Sequence, residues 1–277
     1  MSFVGRIAAG AGILALGLAA APAALGRTTT SSNWAGYAVH RSDGAFEKVV
    51  GAWTEPTATC TPGARTFSSA WIGLGGYDLT SNALEQIGTE ADCRAGGSMV
   101  ASAWYELVPA PAHKIRMKIR AGDRIRASVT VVGTQARLQI RDLTRHRRFA
   151  RTFTPSTVDV SSAEWIVEAP SECVNSSVCQ TLSLADFGTT TFSDAHAVGA
   201  DGRTGTISSR RWNRTRIKLA TARHHFPGGP DAAPAPAAKT SRLSDHGTEF
   251  TITYAGSKSS GSPATSPVSS RPFVHIS

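Results

Sequence analysis

The chain has 277 residues, 41% of them apolar and 18% charged, a composition that buries a core and excludes disorder of the whole. Lys and Arg number 29 against 20 Asp and Glu, a formal charge of +9, so the folded surface is cationic, although charge alone names no partner. Gly 26 and Pro 14, with plentiful Thr, Ser and Val, favour many short strands joined by turns and argue against an all-helical protein.

Residues 1–26 carry one charge, Arg6, ahead of an uncharged Ala/Gly/Leu/Ile stretch, and Ala21-Pro22-Ala23 supplies the small residues of a signal-peptidase site. This reads as a secretory signal and predicts a secreted, extracellular mature chain. The alternative, an uncleaved membrane anchor, is disfavoured by Gly10, Gly12, Gly17, Pro22 and Gly26. Loss of Arg6 would take the charge from +9 to +8.

Period-two alternation then marks strand after strand. Candidates in order are 48–53, 68–75, 83–89, 99–108, 114–120, 124–131, 137–141, 163–168, 189–192, 217–220 and 249–254. In 114–120, 124–131 and 137–141 apolar residues alternate with basic or polar ones, so that, as neighbours, these three strands would turn a cationic face to solvent. Short strands between Gly, Pro and Asp turns read as an all-β fold, a β-sandwich, occupying residues 27–255. The Pro-, Gly- and Ala-rich stretch 226–238 reads as an inserted loop, and 256–277, dominated by Ser, Gly and Pro, as a flexible tail.

Four cysteines in an exported chain predict two disulfides, with three connectivities open to sequence. The short loop from Cys173 to Cys179 suits a local bridge, which leaves Cys60 with Cys93. Zinc would need close CxxC pairs or nearby His ligands, which neither cysteine pair has, so no metal is expected.

Neither G-x-S-x-G nor H-E-x-x-H occurs, and Ser42-Asp43-Gly44 and Ala200-Asp201-Gly202 do not fit the paired D-[ST]-G loops of pepsin-type peptidases. The eight His residues are scattered among loops and basic segments and read as surface residues. Chemistry is carried instead by Trp, Gln and Glu on strands. Alternation puts Glu164, Ile166 and Glu168 on one face opposite Trp165 and Val167, Trp104 with Glu106, Trp71 with Gly73 and Gly75, and Gln86 with Leu84 and Gly88. If the four strands are neighbours, Trp71, Gln86, Trp104, Glu106 and Glu168 line one groove, and the glycines leave room for a substrate backbone. Each segment taken alone reads more readily as core Trp with solvated carboxylates, and spacing alone does not overturn that reading.

Six strings between Ser32 and Gly188 together resemble, in order, the glutamic peptidases, or eqolisins: Ser32-Asn33-Trp34-Ala35-Gly36, Ser69-Ala70-Trp71-Ile72-Gly73, Leu84-Glu85-Gln86-Ile87-Gly88, Ala103-Trp104-Tyr105-Glu106, Ala163-Glu164-Trp165-Ile166-Val167-Glu168 and Ala185-Asp186-Phe187-Gly188. The resemblance implies two antiparallel sheets of a concanavalin-like or jelly-roll sandwich, a substrate cleft on a concave face, and a Gln/Glu dyad. Gln86 and Glu168 fall on the catalytic positions, and Trp34, Trp71, Trp104 and Glu106 on cleft positions. It implies a pepstatin-insensitive endopeptidase without cofactor, acting on proteins or peptides, and it supports the bridge Cys173–Cys179. The family often has an Asp where this chain has Gly75, so one polar cleft contact is expected to be missing. Cleavage after Ala23 leaves about ten residues before Asn33, too few for a long propeptide.

Peptide hydrolysis needs an activated water, a stabiliser for the oxyanion and a proton for the leaving nitrogen. A carboxylate of reference pKa about 4.3 can take and return that proton, and an amide NH2 stays a donor at every pH, which predicts activity at acidic to weakly acidic pH. The rival class is a noncatalytic β-sandwich that binds carbohydrate or cell wall through Trp platforms. A weak attraction of the cationic face to anionic cell surfaces is compatible with either. Nucleic-acid binding is not expected without a recognisable motif, and a monomer is expected.

Overall fold

The computed structural model describes residues 26–41, 45–78, 80–175, 178–221 and 235–256. The expected signal (Gly26 excepted), the tail beyond residue 256 and most of the expected 226–238 loop lie outside the described residues. In chain order the strands are β1 (Gly26–Ser31), β2 (Trp34–His40), β3 (Phe46–Thr54), β4 (Ser69–Gly75), β5 (Leu84–Cys93), β6 (Met99–Val108), β7 (His113–Lys118), β8 (Arg124–Val132), β9 (Gln135–Asp142), β10 (Arg147–Phe153) and β11 (Ser162–Glu168). A hairpin of β12 (Ser171–Asn175) and β13 (Val178–Thr181) follows, then β14 (Thr189–Gly199), β15 (Thr204–Thr206), β16 (Asn213–Thr221), β17 (Ala235–Thr240) and β18 (Phe250–Tyr254).

Alternation sets each strand's two faces. On β9, Ala136, Leu138 and Ile140 are fully buried while Gln135, Arg137 and Arg141 face outward. The expected sandwich is present, but its two layers belong to one continuous ladder in the order β10-β9-β8-β3-β14-β18-β17-β16-β2-β11-β4-β5-β6-β7, with β1 added in parallel to β16. The ladder folds over so that β5 packs on β8 and β9, and β4 on β3 and β8. Between the layers lie Trp53, Ile72, Ile87, Val129, Leu138 and Trp165. Trp165 donates its indole N–H to Val50 O at 2.7 Å, and Gly51 makes room for the ring, since a Cβ there would stand 2.8 Å from its Cδ1.

Several expectations need correction. The three cationic strands are not neighbours: β7 ends one layer beside β6, whereas β8 and β9 pair with each other in the opposite layer. Residues 235–240 are a strand between β16 and β18 rather than the end of a loop. Gly26, placed in the signal, opens β1. His40 is half-buried on β2, stacked on Tyr77 with ring centroids 4.7 Å apart, and His196 lies within β14. Burial pushes the His40 pKa down, and the charge of Arg27 adds to the effect.

Cys60 and Cys93 form a disulfide across 33 residues, as expected. The backbone register sets Cys173 opposite Cys179 in the β12–β13 hairpin, while their side chains lie outside the described residues.

Candidate active site

The four strands expected to be neighbours are so, in the order β11-β4-β5-β6, with β2 on the far side of β11. Cross-strand partners share a face, and on the face turned away from the main core they form rows. Gly36, Ile166, Trp71, Gly88 and Trp104 make one row. Glu164, Gly73, Gln86 and Glu106 make the next. Trp34, Glu168 and Ser69 lie in a third.

All six site residues named from sequence are on this face, and all are buried: Gln86 and Glu106 are 1% exposed, Glu168 5%, Trp71 0%, Trp104 2% and Trp34 9%. Trp34 meets Trp71 edge to face with ring centroids 5.0 Å apart. Gly88 separates Trp71 from Trp104, and a Cβ there would sit 2.5 Å from Ala70 O and 2.6 Å from Trp71 Cβ.

Glu168 is held from both sides. Trp71 Nε1 donates to its Oε2 at 2.8 Å and Asn33 Nδ2 to its Oε1 at 3.0 Å. Asn33 sits in the tight connection between β1 and β2, where Ser31 Oγ donates to Asn33 Oδ1 at 3.1 Å and so orients the amide. Gln86 Nε2 donates to Glu106 Oε2 at 2.6 Å. That bond uses one of the two amide hydrogens, and Gln86 Oε1 accepts no hydrogen bond among the described residues. Gln86 is also the diagonal neighbour of Trp71, whose partner Gly88 lies two residues along β5, a separation of about 7–8 Å. The indole that holds Glu168 thus stands beside the amide that Glu106 orients.

Glu164 shares the face but not the environment. It is fully buried, and neither carboxyl oxygen meets a donor in hydrogen-bonding geometry among the described residues. Burial raises its pKa well above the ordinary value, the Ser162 hydroxyl offsets this only in part, and the charges of Asp159 and Glu85 add to it. Of the two carboxylates of this strand, Glu168 is the one provided with donors. Asp159 lies beside Gly75, where the family often has an Asp. Gly75 has φ +85°, and a Cβ there would lie 2.6 Å from Asp159 Cβ, so the side chain of Asp159 fills that space. Burial would raise the Asp159 pKa, but hydrogen bonds from Ser81, Ser161 and Gly76 outweigh it and hold the group below its ordinary value.

Asn33 is the functional candidate that sequence reasoning missed. It stood inside a quoted motif, but its partner is 135 residues away.

Solved structures share this architecture. A scytalido-glutamic peptidase with a transition-state analogue inhibitor matches with a TM-score of 0.65 and 24% identity, over 80% of this chain and 98% of that one. SCP-B, an eqolisin in complex with the tripeptide Ala-Ile-His, matches with a TM-score of 0.57 and 22% identity over the same shares, 80% and 98%. Aspergilloglutamic peptidase from Aspergillus niger matches with a TM-score of 0.53 and 27% identity, over 68% of this chain and 99% of that one. No curated protein matches the chain in sequence. The fold is therefore the β-sandwich of the glutamic peptidases. Residues 32–223, which include every site residue above, match the Peptidase A4 family. The chain belongs to that family, and it is a glutamic-type endopeptidase.

Proposed function

We propose that the chain is a secreted, pepstatin-insensitive endopeptidase that hydrolyses protein and peptide substrates at acidic pH, as a monomer, through Glu168 and Gln86. In this reading the Glu168 carboxylate takes a proton from a water as its oxygen attacks the scissile carbonyl carbon. Gln86 donates its second amide hydrogen to the oxyanion. Glu168 then passes the proton to the leaving nitrogen as the C–N bond breaks, releasing a carboxylic acid and an amine. The observation that carries the reading is the pair of donors, Trp71 Nε1 and Asn33 Nδ2, fixed on the two oxygens of Glu168. Glu106 fixes which end of the Gln86 amide is the donor.

A sugar-binding module is disfavoured because a sugar-binding face needs Trp and polar groups but not the Gln86 and Glu168 pair with its orienting partners.

The test is cleavage of a denatured protein across about pH 2 to 7, bracketing the carboxylate reference value, with pepstatin present. Glu168→Gln should lower kcat by about a hundred- to ten-thousandfold and Gln86→Ala by about a hundred- to thousandfold, both at unchanged circular dichroism. Activity confined to pH above about 7 would contradict a carboxylate of ordinary reference pKa as the proton carrier.

A further inference from the structure

The two ends of the folded ladder, β7 and β10, lie against each other. Between them runs a groove of about 580 Å³ lined by Lys114, Arg116, Arg147, Arg148 and Arg151, with no acidic residue in its wall. Tyr105 and Phe149 also line it, stacked with ring centroids 5.7 Å apart and planes 13° apart. Two cations elsewhere on these layers are paired, Arg126 with Asp194 at 2.7 Å and Arg145 with Asp123 at 2.9 Å, whereas Arg137 and Arg141 on β9 have no ion pair among the described residues and, unlike the groove cations, stand outside this groove. Among the described residues no carboxylate lies within ion-pair distance of any of the five groove cations. Charges on edge strands also prevent edge-to-edge pairing, but that role needs neither a groove nor continuity with the cleft.

The continuity is specific. Lys114 pairs with Trp104 and so extends the row Gly36, Ile166, Trp71, Gly88, Trp104 by one strand, on the same face. Trp71, bonded to Glu168, marks the reacting end, and Lys114 is three strand spacings away, about 14 Å. An extended polypeptide laid across the row covers that distance in about four residues and then turns over the β7 edge into the cationic groove, where Tyr105 faces the other side of that layer.

Resting on the peptidase reading, we propose that the β7–β10 groove is an exosite for acidic polypeptide, selecting substrates with Asp or Glu about four or more residues to one side of the scissile bond. Charge complementarity favours an anionic segment, and the chemistry at the head of the row makes polypeptide its carrier.

The experiment uses three peptides with one cleavable core: Asn-rich flanks on both sides, an Asp-rich amino-terminal flank, or an Asp-rich carboxy-terminal flank. It is run at about pH 5.5, where Asp is ionised. One acid-flanked peptide should show a KM about five- to tenfold below that of the Asn peptide at similar kcat, as expected of several exposed ion pairs acting together. The ratio should fall to within about twofold in Lys114→Gln/Arg116→Gln, in Arg147→Gln/Arg148→Gln/Arg151→Gln, and in about 0.5 M salt. A ratio near one in the wild type, or one that both variants leave intact, overturns the exosite. If folded wild type cleaves none of the three, the peptidase reading fails separately. Fluorescence anisotropy of a labelled Asp-rich peptide then decides: binding lost in the variants supports the exosite, and no binding overturns it. Variant-sensitive binding of anionic vesicles without binding of the Asp-rich peptide would also overturn it, in favour of a surface anchor.

Discussion

Asn33 and Trp71 each offer Glu168 a single hydrogen bond, and hydrogen bonds to a charged group contribute about 1.5–3 kcal/mol. Trp71→Phe keeps an aromatic ring against Trp34 while removing the donor and part of the indole volume, so kcat should fall about tenfold to a hundredfold with KM little changed and Tm somewhat lowered. Asn33→Ala should act similarly, since it removes the donor from the other oxygen. Steady-state kinetics at matched folding checks both, and an unchanged kcat would show that the proton carrier does not depend on these bonds. Glu106 offers a test by rescue: Glu106→Ala releases the Gln86 amide and should lower kcat, whereas Glu106→Gln keeps an acceptor and should restore most of it. Strand alternation let Gln86, Glu106, Glu164 and Glu168 share a face, but only the resemblance to the glutamic peptidases singled out Gln86 and Glu168 from the sequence. Asn33 was not legible, because an Asn flanked by Ser and Trp reads as a turn former, and spacing carries no sign of a partner on β11.

At the level of the strands, the site depends on Gly88, which lets β5 approach β4 closely beside Trp71. Gly88→Ala would push its Cβ into Ala70 O and Trp71 Cβ, overpacking that costs about 1–3 kcal/mol. Thermal unfolding should show a lowered Tm, and the displaced Trp71 should weaken kcat as well. A variant with wild-type Tm and kcat would mean that β4 and β5 separate easily. Strands β4, β5, β6 and β11 could be read from their period-two pattern, but β2 could not. Its sequence Trp-Ala-Gly-Tyr-Ala-Val-His is buried on both faces up to the last residue, as β4 and β11 are throughout, and in β2 no polar residue interrupts the run before His40 to mark a face. The grouping of β7 with β8 and β9 failed for another reason. Consecutive strands are neighbours about two-thirds of the time, but here the turn at Gly122, with φ +81°, carries the chain into the opposite layer. Buried Asp123 fixes that turn by accepting from Arg120 N and from the Arg145 guanidinium.

Across the whole molecule, buried carboxyl groups set how stability follows pH. Burial pushes the Glu85 pKa up to about 8, with the Asp159 charge contributing and backbone hydrogen bonds opposing. Glu55 is raised well above its ordinary value, first by burial, against a hydrogen bond from Thr89. Glu164 is raised in the same way. Between the unfolded value of 4.5 and the folded value the native state binds more protons than the unfolded one, so stability is complete below 4.5 and is lost as pH rises. For Glu85 the window runs from 4.5 to about 8, with a slope of about 1.4 kcal/mol per pH unit. Asp159 has the opposite sign, its stabilisation lost as pH falls through its lowered pKa. Thermal melts at steps from pH 4 to 8 should show Tm falling, and Glu85→Gln should flatten the curve; a Tm that rises to pH 8 would refute this. Reducing the Cys60–Cys93 bridge, which spans 33 residues, should cost about 3–4 kcal/mol by its loop entropy, read as a lower denaturation midpoint.

The position of β2 bears on when the enzyme can first act. This early strand lies between β11 and β16, and the Asn33 that precedes it reaches Glu168. A growing chain that ends before residue 213 therefore has an open edge on β2, and its site lacks the strand that holds it flat. Contacts this distant in sequence form slowly and late. The strand that carries Asn33 to Glu168 is thus closed on both sides only in a chain that extends through β16.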